Sequence, residues 1–271
     1  MCPRVSICWA ELALGVRVWE LGQARLMVAG AFGNLAVHHH AAVQVGVGLA
    51  GPLSVTADDD AHHTCRLVVV ASGKRHAVQS DSRSEALSIY LGPHTWQGIA
   101  LRTLSRTRGV WIVGNGERLA DATAAALAVG GPRAAADFLV GELCGMSSAD
   151  PDGRGWVHPQ LRQAIDLVSS SAPSRIDLAS VAGAVALSPD YLGRLCKQQT
   201  GVSFSATTRW VRLLTALRYL ADGMPVTDAA HLAGFTDGSH ANRVCWEMAG
   251  AAPSDLARAL KDSPLPSHPA P

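Results

Sequence analysis

The sequence predicts a multidomain α+β chain. It has an N-terminal β-barrel or sandwich, a helical connector, and a C-terminal all-α domain with two helix-turn-helix units. Three observations carry this. Between Val16 and about Gly114, short apolar runs are separated by Gly, Pro, Asp and Ser clusters, the signature of a small all-β fold. Beyond that stretch the apolar positions recur at helical intervals instead. Near the C-terminus one helical unit occurs twice: a slide of 49 positions lays Arg194 on Arg243, Cys196 on Cys245 and Gly201 on Gly250. A length of 271 residues suits two domains.

RLMVAG, VQVGVGLAGPLSVTA, CRLVVVAS, EALSIYL and GVWIVG are the expected strands. The acidic TADDDAHHT stretch between two of them reads as a loop, with His62 and His63 solvated. GERLADATAAALAVGGPRAAADFLVGELCGM predicts two helices broken at Gly130-Gly131-Pro132, suited to cover the barrel or to pack on a second subunit. SSADPDGRG is a linker, HPQLRQAIDLVSSS opens the C-terminal domain, and the proline-rich SPLPSHPAP is expected to be disordered. The boundaries fall at 1–115 for the barrel, 116–146 for the helical region, 147–156 for the linker, 157–261 for the all-α domain and 262–271 for the tail.

Each copy of the repeat is a short apolar helix, a tight turn, and a second helix closed by glycine. LASVAGAV leads through ALS into PDYLGRLCKQQTG, and VTDAAHLA leads through GFTD into GSHANRVCWEMAG. This is the helix-turn-helix pattern, whose second helix enters the DNA major groove. Ser188 caps the first such helix, with Pro189 where a missing N–H costs nothing, and Asp237 can cap the second. Leu192, Leu195 and Cys196 form a stripe opposite Asp190, Gly193, Arg194 and Lys197. Likewise Ala241, Val244, Cys245 and Met248 lie opposite Ser239, Asn242, Arg243 and Trp246. SATTRWVRLLTALRYLADG joins the copies as a helix of about 27 Å at ~1.5 Å per residue. That length suits two recognition helices about one duplex turn apart, ~34 Å.

The net charge is +1, so the case for DNA rests on the helix pattern and predicts modest non-specific affinity. The six cysteines show no C-x-x-C or zinc-finger spacing, which predicts reduced structural thiols. No run approaches the ~20 apolar residues that span a bilayer. Glu11 interrupts the apolar start before any cleavage site, so a cytoplasmic protein with no membrane partner is expected.

LSPDYLGRLCKQQTGVSF, Arg212-Leu213…Ala216, Ala233-Gly234-Phe235 and Gly250…Pro253 resemble the DNA-binding domain of the AraC/XylS regulators over roughly the last 100 residues. Family members usually carry aromatic residues where this chain has Ala241, Cys245 and Ala249, and a phenylalanine at Cys196, which predicts a thinner core. HHHAAVQ…GLAGPLSV…SGKRHAV…IYLGP is similar to the cupin-like N-terminal domain common in that family. The resemblance implies a sequence-specific transcription regulator and not an enzyme. Its partners would be double-stranded promoter DNA, a small-molecule effector and RNA polymerase, with homodimer contacts from the helical region.

Arg194 and Arg243 are the first candidates for base contact, because the guanidinium fork matches guanine O6 and N7. Asn242 suits adenine, Asp190 cytosine, and Ser239 a base or a phosphate. Lys197, Arg212 and His240 are phosphate candidates. In the barrel, His38, His40 and Gln44 with His76 on a later strand resemble the cupin metal set, with neutral Gln44 where enzymatic cupins usually hold glutamate. They are read either as pocket-lining or surface polar groups on a barrel that holds no cofactor, or, for His38, His40 and His76, as groups that bind a divalent ion or contact a small effector. A metal-dependent cupin enzyme with a helical appendage is the alternative function, although no second carboxylate, nucleophile or cofactor loop accompanies the histidines.

Overall fold

The computed structural model describes residues 17–32, 37–57, 61–81, 84–105, 109–146, 157–170, 177–249, 252–254 and 257–258. The expected linker at 147–156 and the tail at 262–271 lie outside them. Among the described residues nine strands come first: β1 (Arg17–Gly22), β2 (Arg25–Gly30), β3 (Val43–Gly48), β4 (Leu53–Thr56), β5 (His62–Cys65), β6 (Leu67–Val70), β7 (Ala77–Ser80), β8 (Ala86–Leu91) and, after helix α1 (Trp96–Leu104), β9 (Val110–Ile112). A six-stranded sheet runs β1-β2-β8-β3-β6-β9 and a three-stranded sheet runs β5-β4-β7. His62 and His63 are therefore not in a loop. They pair with Thr56 and Val55 across the β4–β5 ladder, and the loop reading fails because β-branched partners recruit this polar stretch into an edge strand.

Strands β2, β3 and β6 of the large sheet are buried on both faces, which is why they read as continuous apolar runs. Val43, Val45 and Val47 of β3 and Leu87, Ile89 and Leu91 of β8 pack on the helical side. They meet Ala100 and Leu101 of α1 and Leu119, Leu139 and Leu143 of α2 (Gly116–Gly145). Helix α2 bends where expected: Gly131 takes φ 73° and ψ −169° ahead of Pro132, a conformation open to glycine alone. The buried Arg25 pairs with Asp137, and Arg66 reaches Glu117 at 2.8 Å and Asp121 at 3.0 Å, so both halves of α2 are tied to the sheet. The alternate positions of the same strands face the barrel interior.

The remaining helices are α3 (Pro159–Ser170), α4 (Leu178–Ala184), α5 (Pro189–Thr200), α6 (Phe204–Ala221), α7 (Val226–Leu232) and α8 (Gly238–Ala249). Helices α4 and α7 are 7 residues long, and α5 and α8 are 12, so the sequence repeat is a structural repeat. The first unit closes around Leu161, Ile165, Val181, Leu192, Cys196 and Phe204. The second closes around Trp210, Leu213, Leu217, Phe235, Val244 and Met248. Ala241 and Cys245 lie where a thin core was expected; they share one buried cluster with Trp210 and Phe235. Cys65, Cys144, Cys196 and Cys245 are free thiols, in line with the reduced-thiol reading. No helix among the described residues is long and apolar enough to cross a membrane.

Candidate nucleic-acid interface

Each recognition helix is fixed at its start by a side chain. Ser188 Oγ accepts the Tyr191 N–H at 3.2 Å, and Asp237 Oδ1 accepts the His240 N–H at 2.7 Å. That bond and the Thr236 hydroxyl hold the Asp237 carboxyl below its usual range. Gly201 ends α5 in the left-handed conformation, φ 83°. The turns before the two helices match as well. Ala186 has φ 55° and Gly234 has φ 83°, each two residues past the end of the preceding short helix.

The caps and buried stripes together decide which faces remain outward. On α5, Asp190, Arg194 and Lys197 are exposed, Gly193 is half-buried, and Tyr191 adds an exposed aromatic ring. On α8, Ser239, Asn242 and Arg243 are exposed beside Trp246, which is 41% exposed. The structure brings each set onto one helix face. Two candidates differ from the rest. His240 is half-buried, its Nδ1 3.0 Å from the Thr236 hydroxyl and its ring edge-on to Phe235; burial first, then Arg243, hold its pKa down. Arg212 lies on α6 and folds over Gly234, so it sits behind the second turn rather than on a recognition helix.

The four barrel candidates also meet. His38 and His76 form an isolated antiparallel bridge, with backbone N–H···O bonds of 2.9 Å in each direction. The His40 ring lies 5.7 Å from that of His38 and 5.0 Å from that of His76. His40 Nδ1 donates to the Ala42 carbonyl at 3.0 Å, and His76 Nδ1 donates to the Lys74 carbonyl at 2.8 Å. A carbonyl only accepts, so both protons sit on Nδ1 and both Nε2 atoms are bare. Burial keeps these rings neutral, lowering His40 to about 4 and His76 well below its ordinary value. Both bare nitrogens converge on the end of the Gln44 side chain, at 3.1 and 2.6 Å, while its other end meets Ser88 Oγ at 2.9 Å. With the amide NH₂ turned toward the rings, each bare nitrogen receives one hydrogen and the Ser88 hydroxyl donates to the amide oxygen, so every group is satisfied.

Ser88, Tyr90 and Trp210 extend this polar centre. Tyr90 pairs with Gln44 across β8 and β3; burial pushes its hydroxyl up to about 12. Its ring lies 5.1 Å from His40 and 6.1 Å from the fully buried Trp210 of α6. The sequence did carry a signal for two of them, since Ser88 and Tyr90 are the polar members of an alternating strand. Nothing in it linked Trp210 to the barrel. The two halves touch elsewhere too. Ser72 donates to Thr200 O at 2.9 Å, Arg102 to Gln198 O at 2.9 Å, and Arg218 to Glu20 at 3.1 Å. A cleft of about 680 Å³ opens between the Gln23–Ala24 turn, His94 at the start of α1, Arg162 and Ile165 on α3, and Val211 and Arg218 on α6.

Comparison with known proteins agrees with this geometry. Residues 181–259 match the helix-turn-helix domain model, which takes in both recognition helices. The chain is 34% identical to the arabinose operon regulatory protein of Escherichia coli K12 over 106 residues, 37% of this chain and 36% of that protein. Its counterpart in Salmonella typhimurium LT2 is also 34% identical over 106 residues. The match thus spans little more than a third of the length of these relatives. Over the whole chain the fold is similar to that of an apo, singly substituted form of ToxT from Vibrio cholerae SCE256, with a TM-score of 0.61, 12% identity, and coverage of 89% of this chain and 100% of that one. It is also similar to wild-type ToxT of the same strain bound to unsaturated fatty acid, with a TM-score of 0.55, 14% identity, and coverage of 92% and 96%. Paired helix-turn-helix units thus lie behind a β-rich N-terminal domain, in a chain similar to the arabinose operon regulators over about a third of its length and to ToxT in overall fold.

Proposed function

We propose that this chain is a sequence-specific DNA-binding transcription regulator whose N-terminal half takes a small effector. One observation carries the reading: two helices of equal length, each capped at its start, keep a polar face exposed while the opposite face is buried. Arg194 and Arg243 read bases, with Asn242, Ser239 and Asp190 as further base contacts. Lys197, Arg212 and His240 contact phosphates. The 1–115 barrel, with His38, His40, Gln44 and His76 at its centre, is the effector half; 116–146 supplies a homodimer contact; 157–261 binds promoter DNA and works with RNA polymerase in the cytoplasm. That ToxT has been captured with a fatty acid supports a small-molecule effector for the shared fold. Catalysis has no part in this role.

Selection of bound fragments from a random DNA pool by the full chain tests the proposal. The expected product is a site with two motifs about 10–10.5 bp apart. Arg194→Ala and Arg243→Ala should each relax one motif, at about 1–3 kcal/mol per lost bidentate contact. Lys197→Ala should weaken all sequences alike and lower the salt dependence. Recovery of fragments with no common sequence overturns the reading.

A further inference from the structure

The cleft between the two halves has a wall from each: the β1–β2 turn and the start of α1 on one side, α3 and α6 on the other. Its volume of about 680 Å³ lies within the roughly 300–1,000 Å³ usual for small-molecule sites. The floor is apolar, made by the buried Ile165, Val211 and Leu214 with half-buried Trp96 beside them. Around that floor the polar groups favour an anion. Thr95 Oγ1 accepts the Gly98 N–H at 3.1 Å, and the N–H groups of Trp96 and Gln97 have no acceptor within the helix. The first turn of α1 carries no acidic side chain, so the positive end of the helix dipole is left uncompensated. Arg162 and Arg218 stand on the opposite wall, against a single lining carboxylate, Asp166. Arg218 gives one nitrogen to Glu20 at 3.1 Å, and a guanidinium has five N–H donors. His94 adds a group in need of a partner: its Nδ1 is buried and makes no hydrogen bond among the described residues. The turn beside it is strained, with Gln23 at φ 52° and Ala24 at φ 57°, where Asn-Gly would fit without cost. Strain of this kind clusters at ligand clamps.

We infer that this cleft binds a small monocarboxylate with an apolar body, at a site separate from the histidine centre of the barrel. None of His38, His40, Gln44 and His76 lines it. The carboxylate sits between the start of α1 and Arg218, with Arg162 as the second cation, and the apolar body lies on the floor. Two carboxylate oxygens suit both the free N–H groups of a helix start and the fork of an arginine. Burial holds His94 at a pKa of about 4, so it offers the ligand body a hydrogen bond without charge. A ligand that touches both walls favours the arrangement in which the halves are packed, and so bears on how α3 and α6 carry the recognition helices. Its effect on DNA rests on the regulator reading; the site itself does not.

Calorimetric titration of the full-length chain with 3-phenylpropionate and octanoate, and with neutral 3-phenylpropionamide, tests the site without DNA. The expected result is one carboxylate per chain, with the amide about tenfold weaker or more, because bonds to a charged group carry the difference. Arg218→Gln should weaken carboxylate binding about tenfold or more. Thr215→Trp, which fills the cleft and keeps every charge, should abolish it, and Arg118→Gln on the exposed face of α2 should leave it unchanged. Absence of saturable binding by both carboxylates, equal binding of acid and amide, or binding indifferent to both Arg218→Gln and Thr215→Trp overturns the site. Two variants guard against one that fails to fold. Fluorescence anisotropy on a selected DNA site then reads the coupling. Saturating 3-phenylpropionate should change the DNA affinity of the wild type about fivefold or more, and leave that of Thr215→Trp alone. An unchanged wild-type affinity overturns the coupling. Carboxylate binding by a chain that selects no DNA motif would sink the regulator reading and leave the site standing.

Discussion

At the scale of single residues, the two turns set up a natural comparison. Position 186 holds a left-handed backbone with an alanine, and position 234, likewise two residues past a short helix, holds it with glycine. An L-residue in that conformation costs roughly 1–2 kcal/mol. At 234 a Cβ would also come within 3.2 Å of Arg212 Nε, so the guanidinium must shift. Gly234→Ala should therefore destabilise the protein by about 1–2 kcal/mol in a denaturant titration, by the strain of the left-handed backbone. It should also weaken DNA binding through Arg212. Ala186→Gly, which relieves strain and adds only unfolded-state entropy, should change stability far less. Equal losses at both positions would show that the repeat is not energetically equivalent.

At the scale of elements, α6 does more than join the two recognition units. Trp210 belongs to the second unit's core and to the apolar wall of the barrel, in one continuous cluster with Leu26, Val28 and Phe32. Trp210→Ala should cost about 3–5 kcal/mol, the usual range for removing a buried aromatic. Calorimetry should then show the single transition dividing in two, because the barrel and the helical domain lose their shared side chain. A uniform drop with one sharp transition would place Trp210 in the helical core alone. The recognition helices themselves depend less on such bulk. Their starts are set by Ser188 and Asp237, and losing an N-cap of this kind costs about 1 kcal/mol.

At the scale of the whole molecule, the contact between halves should weaken in acid. His94 sits at the cleft where the barrel meets α3 and α6, and burial lowers its pKa to about 4 from an ordinary value of 6.5. Between those values the unfolded chain binds a proton at His94 that the folded chain refuses, so stability must fall as pH drops from 6.5 toward 4. His40, also held to about 4, adds to the slope with the same sign. His94→Gln should flatten part of the decline in melting temperature over that window while leaving the neutral-pH value nearly unchanged. An unaltered profile would mean that the ring is already solvated in the native state.

What the sequence determined by itself is local. Helical period, N-cap chemistry and terminal glycines are properties of adjacent residues, so the repeat, its turns, the break at Gly131 and the outward sets on α5 and α8 were all readable. The alternation that hides Gln44 and the spacing of His38, His40 and His76 were readable too. Short or polar elements were not. Strand β5 and the helix α1 depend on partners far along the chain, which overrule the weak preferences of HHTC and WQGIALRTL. Only the tertiary structure could decide that Tyr90 meets Trp210, that His39 faces Glu247, and that Gln44 stands between two bare imidazole nitrogens. Those contacts join residues from separate elements, and sequence spacing carries no information about which side chains share a point in space once two domains pack together.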